Sequence, residues 1–594
     1  MFVKIWPPVP GVFPPSGRMR KGFRMDSRRK QNRTHNVREK RRALPAILIL
    51  AAALLLAGIV YYVTLPAMNI HSGGFWTYVI FLLVLAVICY YAIGILTGKI
   101  FAETVRFPSG AIDFHTSTEG GKKTKFPRFV ITLIGAILAF LLLGTLAGST
   151  IFRAKTYSSL ITVEDADFAS GIDETEYVTD IALMDTASAR IIGARTLGTL
   201  SDLVSQYEVS YNYTQIAMQN AKGESHPYKV SPLEYASFFK WVQNKAAGIP
   251  GYVKVDTVKF EAEFVRLSGE YIRYSPSAYF SKNLMRALRF ACPTAIFGSV
   301  CFEVDDNGHP YWVASTMKPH AGLFGAMDVD TVVTLDACTG EVARYAPADS
   351  PDWIDIVYYG DLICRKYDWY GMLRGGWLNS EFSQVNCVVT TDDFGYKIIG
   401  NDVYIFTGVT STSNDEANIG FILANSRTGD YKFFSVAGAE EYSAMSAAEG
   451  SVQQYGYRAS FPSLINVGGE ATYIMVLKDA SGIVKMYSMV NVKNYNLVVT
   501  STTQEDVFQK YKAALKQSGA AVLDDVLPGE AVLREIVYVN EAGATVVYLK
   551  TDGGVYKMPF DESVLFLEPG DTFTFLKTWD LPSGVTEITD VKKK

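Results

Sequence analysis

Three apolar runs in the first quarter of the chain constrain everything that follows. Residues 44–68 contain ILILAAALLLAGIVYYV, residues 75–97 read FWTYVIFLLVLAVICYYAIGILT, and residues 129–152 read FVITLIGAILAFLLLGTLAGSTIF. No Asp, Glu, Lys or Arg interrupts any of them. A helix needs roughly 20 apolar residues to cross a hydrocarbon core about 30 Å thick, so each run is read as a transmembrane helix. Tyr61, Tyr62, Trp76, Tyr78, Tyr90 and Tyr91 lie near the ends, where amphipathic rings favour the headgroup layer. Two further spans follow the first and no small-residue cleavage pattern closes it, which excludes a cleaved signal peptide.

Charge sets the expected orientation. Residues 1–43 carry thirteen Lys/Arg against two acidic residues, and residues 98–128 carry six against three. The positive-inside rule places both segments in the cytoplasm and delivers everything from residue 153 to the other side of a plasma membrane. Pro7-Pro8 and Pro14-Pro15 mark an unstructured leader, with Met25 as an alternative start. From residue 129 onward acidic residues outnumber basic ones 55 to 37, which argues against a nucleic-acid partner, since phosphate needs a basic face. The spans carry no ionised side chain to form an ion path. Gly144 and Gly148 form a GxxxG pair, with Gly135 and Ala139 at the same spacing; such small residues let helices approach, and packing among the chain's own three helices is the expected use.

Beyond residue 153 the texture changes to alternating apolar and polar residues with turn signals, read as a large α+β region. Residues 153–275 form a mixed section in which Ser231-Pro232-Leu233-Glu234 predicts a helix start, a capping box with proline at the first helical position, continuing through Tyr235, Phe238, Phe239 and Val242. Leu284, Ala287, Leu288 and Ala291 predict the next helix. Strands at 300–304 and 311–314 flank Asp305-Asp306-Asn307-Gly308, a hairpin signal. A strand at 332–335 leads through Thr339-Gly340-Glu341 to another at 342–345, and Thr428-Gly429-Asp430 occupies the same position in GFILANSRTGDYKFFSV. Both tripeptides are read as structural turns of a repeated unit. A helix at 440–453, with Tyr442, Met445 and Val452 inward, precedes strands near 471–478 and 483–490. Residues 501–594 read as a helix capped by Thr503, with Phe508, Tyr511 and Leu515 on one face and a stop at Gly519, then five short strands at 532–539, 545–550, 555–558, 564–566 and 572–576. That spacing predicts a small closed β-barrel, OB-like or SH3-like.

The helix followed by Tyr311-Trp312-Val313 and Asp336-Ala337-Cys338-Thr339-Gly340-Glu341 resembles the PepSY-type domain of bacterial envelope proteins and peptidase propeptides. Asp336, Thr339, Gly340 and Glu341 match its turn; the second copy departs from it, with Asn425 and Asp430 in place of the two acids. The resemblance covers under a third of the chain, and divides the region into a PepSY-like unit at 276–350 and a divergent unit at 351–500. The whole chain is also similar to multi-span membrane proteins of Gram-positive bacteria, a likeness that carries no activity. The PepSY resemblance implies binding or inhibition of a partner and no cofactor.

Catalytic and metal signatures are incomplete. Ser237-Phe238-Phe239-Lys240 matches Ser-x-x-Lys of penicillin-binding enzymes, but no Ser-Asp-Asn accompanies it and Arg427-Thr428-Gly429 is the nearest third element. Thr334-Leu335-Asp336-Ala337-Cys338 approaches the sortase Thr-Leu-x-Thr-Cys, with Ala337 replacing the Thr and His309, His320 and Arg344 at foreign spacings. Cys292 and Cys301 could pair, although buried free thiols are the plainer reading of an odd number of outer cysteines. His35, His71, His115, His226, His309 and His320 form no zinc motif. The expectation is therefore a membrane-anchored envelope protein with no catalytic set, no cofactor and no metal, whose outer region binds or regulates an envelope protein or peptide. The alternative is an envelope enzyme acting on wall polymer or peptide.

Overall fold

The computed structural model describes residues 24–96, 100–106, 112–118, 125–175, 178, 181–219, 225–412, 414–518, 527–541, 544–580 and 585–594. Three helices are long and apolar enough to cross a membrane: Leu44–Thr64, which ends the longer helix Arg24–Thr64, then Gly73–Leu96 and Lys125–Ala147. Most of their side chains face away from the rest of the protein, as a lipid-facing helix requires. Residues 98–128 contain an antiparallel pair, Ile100–Arg106 with Ile112–Thr118. The third apolar run does not continue as one helix to residue 152. It ends at Ala147, extends at Ser149, and resumes as Thr150–Ser158.

That break has a packing cause. Gly144 and Gly148 receive the tip of a β-hairpin rather than another helix, which corrects the expected helix–helix use. A Cβ on Gly144 would fall 2.1 Å from Leu323 Cδ1, and one on Gly148 would fall 2.6 Å from the Ala321 carbonyl oxygen. His71, in the link between the first two helices, bonds the Leu323 carbonyl through Nδ1 at 2.8 Å. Tyr157 donates to the Gly148 carbonyl at 2.8 Å, folding Thr150–Ser158 back over the notch.

The region after residue 160 is dominated by β-structure rather than balanced α+β. Among the described residues it contains four successive four-stranded antiparallel meanders. Sheet I runs Thr214–Gln219, Ser225–Tyr235, Gly251–Asp256, Glu261–Arg266; sheet II runs Phe297–Val304, Pro310–Ala321, Gly325–Asp336, Val342–Tyr345. Sheet III runs Gly395–Ile399, Asp402–Ser411, Asn414–Asn425, Tyr431–Phe434, with Val163–Ala166 added in parallel at its edge; sheet IV runs Ser463–Val467, Glu470–Lys478, Val484–Asn491, Val498–Ser501. Their first strands gather toward the middle: Thr214–Gln219 touches Phe297–Val304 and Asp402–Ser411, while Gly395–Ile399 touches Ser463–Val467 and Ser225–Tyr235.

Faces between neighbouring sheets hold the core. Tyr252 of sheet I meets Phe302 and Trp312 of sheet II, and Phe406, Phe421 and Phe434 of sheet III meet Tyr473 and Met475 of sheet IV. Sheet IV is covered on both sides, so strand Glu470–Lys478 is apolar almost throughout instead of alternating: Ala471, Tyr473, Met475 and Leu477 face sheet III, while Ile474 and Val476 face helix Gln504–Gln517. Phe260 and the Lys478–Asp185 ion pair close the circle from sheet IV back to sheet I. Successive four-stranded meanders in a ring are the plan of a β-propeller.

The repeated turns have a common chemistry. Asp336 Oδ1 accepts from the backbone N–H groups of Cys338 and Thr339, and Asn425 Oδ1 accepts identically from Arg427 and Thr428. Gly340 and Gly429 follow at φ +85° and +78°, between Thr339 and Glu341 and between Thr428 and Asp430, where a Cβ would be strained. Several expectations change. Ser231-Pro232-Leu233-Glu234 lies in a strand; the helix is Phe238–Asn244, capped by Ser237. Proline is tolerated mid-strand because its two short partners, Tyr207–Val209 and Thr214–Gln219, stop on either side of it. Val452 is buried and Met445 packs against the core as expected, but Tyr442 is exposed, and Ala444 and Ala448 join the inward face of Glu441–Ser451. The C-terminal barrel closes with five strands, but residues 564–566 form a 3₁₀ turn and the fifth strand is Val585–Lys593. Helix Gln504–Gln517 begins at Thr503 as expected, and Gly519 lies outside the described residues.

The notch yields a direct test. Gly144→Val should lower the stability of the purified chain by about 1–3 kcal/mol, the usual cost of overpacking. Gly135→Val, where nothing lies within 4 Å, should leave it unchanged. Thermal unfolding in one detergent compares them.

Candidate functional site

Sheets I, III and IV leave a cleft of about 430 Å³ between them. Its walls bring together segments distant in sequence: Asp185 and Thr186, Gln215, Lys229, residues 393–396, Phe406, Tyr442 and residues 459–463. A second recess of about 600 Å³ adjoins it through shared Ala182, Tyr396 and Ser463, and includes Lys397 and Asp173.

Lys229 defines the cleft. It projects from strand Ser225–Tyr235 and is 3 % exposed, yet its ammonium makes one long hydrogen bond, 3.4 Å to Thr186 Oγ1, and stands 5.2 Å from the Tyr396 ring centre. An ammonium has three protons to donate, so this cation is poorly satisfied by the protein. Burial pushes its pKa down to about 8, against an opposing pull from Asp185. Burial would also raise Asp185, but Lys478 and Ser188 hold its carboxyl below the ordinary value. Asp185 is already committed to Lys478 and to capping helix Thr186–Gly198. Lys397 is likewise pushed down to about 8 by burial and donates to the Leu464 carbonyl at 3.1 Å. Around these cations stand Phe394, Tyr396, Phe406, Tyr442 and Phe461, so the cleft offers positive charge beside aromatic surface.

A second polar group lies between sheets I, II and III. Glu303 accepts from the backbone N–H of Asp355 at 2.8 Å and of Ile356 at 3.3 Å, and Asp355 accepts from Ala217 N–H at 2.8 Å. Burial pushes Glu303 up to about 7 and Asp355 well above its ordinary range, with the Glu303 charge raising Asp355 further. The nearby cavity of about 310 Å³ is lined by Asp352, Trp353, Asp402 and Arg427, with Arg427 and Asn425 both bonded to Asp402. Glu303 and Asp355 thus bridge the sheets through backbone N–H groups, while Asp402 is taken up by Arg427 and Asn425.

The sequence candidates are placed as follows. Ser237 Oγ accepts from the Lys240 N–H at 3.4 Å, as a helix cap. Cys292 and Cys301 are both free thiols. His309, Asp336 and Cys338 do come together: their ligand atoms lie within 4.8 Å of one another, with His309 Nε2 3.1 Å from Asp336 Oδ2. The Cys338 thiol is 4 % exposed and pushed up to about 12, first by burial and then by Asp336 and Glu270. Lys229 was not singled out because Ser231, two residues on, predicts a helix start; a lysine inside an apolar strand was the available signal.

The paired acids predict a pH dependence of stability. Glu303 titrates near its model-peptide value of about 4.3 when unfolded and near 7 when folded. A raised carboxyl pKa favours the fold in the protonated form, so its contribution is full below the unfolded pKa and is lost as pH rises through about 7. Unfolding midpoints should fall across that window, and Glu303→Gln should flatten part of the fall.

No protein-family model matches the chain, and no curated protein matches it. Solved structures with some likeness include an alpha-L-arabinofuranosidase from Lactobacillus brevis, at 8% identity and TM-score 0.16 over 63% of this chain and 94% of that one. A Trypanosoma rangeli sialidase in complex with the inhibitor DANA has 8% identity and TM-score 0.15 over 64% and 54%. A B. megaterium levansucrase has 8% identity and TM-score 0.17 over 71% and 98%. Likeness this slight places the chain in no family.

Proposed function

We propose that the chain is a membrane-anchored binding protein of the bacterial envelope. Residues 1–43 and 98–128 face the cytoplasm by the positive-inside rule, and the ring of sheets lies outside. The cleft takes a segment of an envelope protein or peptide that presents an anionic group beside an aromatic or apolar one. The observation that carries this reading is Lys229: a buried, under-bonded ammonium in an aromatic-walled cleft, where the Asp185 carboxylate that acts on it is already paired with Lys478. Binding sites commonly combine apolar walls with a few convergent polar groups in this way. The partner-binding role implied by the PepSY resemblance, and the Gram-positive likeness, point in the same direction.

A photo-crosslinking residue at Tyr442, exposed at the cleft, tests this in the native host. Crosslinks should form from 442 and not from Tyr538 on the barrel, should vanish in Lys229→Met, and should weaken as pH rises through about 8, where Lys229 loses its proton. Equal crosslinking from both positions, or none dependent on Lys229, defeats the proposal.

The enzyme reading rests on the His309–Asp336–Cys338 group. A thiol pushed up to about 12 holds almost no thiolate at neutral pH, and the thiolate is the nucleophile. Cys338→Ser should therefore preserve function at unchanged surface level; loss of function with the fold intact would favour catalysis.

A further inference from the structure

Two exposed apolar turns stand beside the places where the membrane-length helices meet the ring of sheets. The first is the short helix Phe238–Asn244 and the neighbouring Phe280. Trp241 points inward, but Phe238, Phe239 and Val242 point out, with Phe239 78 % exposed and Phe280 57 % exposed. A surface helix of a water-soluble domain shows the opposite arrangement, with its apolar stripe facing the core. The second turn is Leu378 and Phe382, 68 % and 76 % exposed, just after helix Gly360–Leu373.

Contacts tie the first turn to the end of the first membrane-length helix. Arg286 donates through Nε to the Tyr62 carbonyl at 3.3 Å and through one Nη to the Phe280 carbonyl at 3.1 Å, and its guanidinium lies 4.4 Å over the Tyr62 ring. Arg289 donates to the Leu65 carbonyl at 3.0 Å. Phe290 rests 6.4 Å from both Tyr61 and Tyr62, and Phe280 lies 5.7 Å from Trp241. Arg286 therefore bridges the final turn of the helix Leu44–Thr64 to Phe280, and ring contacts continue from Phe280 through Trp241 to Phe238 and Phe239. The second turn is tied to the third helix in the same manner: Gly360–Leu373 packs on Thr150–Ser158, with Tyr157 and Trp369 rings 5.0 Å apart.

We propose that Phe239 and Phe280 on one side, and Leu378 and Phe382 on the other, are immersed in the lipid leaflet adjoining the ring of sheets, seating it on the bilayer at two points. This rests on the membrane-anchored reading above. Lipid is the occupant because both turns are continuous with helix ends that sit at headgroup level, where aromatic side chains concentrate. Lys240 and Lys245 on the first turn add the basic groups that accompany interfacial helices, with Lys245 5.2 Å over Trp241. The apolar faces are thus the underside of an anchored domain.

The full chain in liposomes, with native cysteines replaced by alanine, carries single spin labels through Phe239→Cys, Phe382→Cys, Leu54→Cys and Phe566→Cys. Leu54 lies in a membrane-length helix, and Phe566, 72 % exposed, belongs to the C-terminal barrel. Labels at 239 and 382 should follow position 54, with oxygen relaxing them several-fold more than a water-soluble nickel chelate; position 566 should show the reverse. Labels at 239 and 382 that follow 566 overturn the proposal, as does protection from both reagents, which marks a protein partner or second copy. Failure at position 54 itself would instead overturn the membrane reading.

Discussion

Backbone buried at the centre of the ring has to find hydrogen-bond partners, and the way it does so joins the sheets. The link between sheets II and III passes through the interior at residues 353–359. Glu303 supplies acceptors for Asp355 and Ile356, the Ser426 carbonyl serves Val357 and Tyr358, and Ser315 donates to the Val357 carbonyl. Asp355 then reaches back to Ala217 of sheet I. Leaving one such group unpaired costs about 1–3 kcal/mol, so apolar replacements at 303 or 355 would uncouple three sheets together. This explains why two carboxyl groups persist where burial opposes their charge: they are retained as acceptors.

Local chemistry made parts of this fold legible in the sequence. The three apolar runs were unmistakable by length, and the Asp336 and Asn425 turns were visible as Thr-Gly-acid because an Asx acceptor, two donors and a left-handed glycine fit within six residues. Thr503 and its helix were equally local. Failures came where tertiary context prevailed. Ser231-Pro232-Leu233-Glu234 has the letters of a helix start, but a gap between two partner strands makes proline harmless there. The fourth of the five expected barrel strands, residues 564–566, is instead a 3₁₀ turn with Val564 in the core, and the barrel closes with Val585–Lys593.

The cleft was illegible for a different reason. Its walls come from sheets I, III and IV and are drawn from residues 182 to 463, and no short motif records their convergence. Lys229 and Lys397 sit on adjoining strands of different sheets, one on each side of Tyr396, and only the ring brings them together. Charge placement follows the same logic. The chain beyond residue 129 is acidic on balance, yet both cations pushed down to about 8 lie in the adjoining cleft and recess.

The hairpin of sheet II that ends in the Gly144–Gly148 notch is also a mechanical element. Its strands, Pro310–Ala321 and Gly325–Asp336, stay paired along their length apart from a bulge at Thr316–Met317. Twelve residues at about 3.3 Å each make a ribbon roughly 40 Å long. One end carries the turn of Asp336 and the other is clasped by Leu323 between His71 and Gly144. A tilt of about 3° at the ring end moves the tip by roughly 2 Å on that length, comparable to the clearance a single Cβ would remove at the notch. The ribbon thus joins the Asp336 turn of sheet II directly to the third membrane-length helix, with Leu323 as the point of contact.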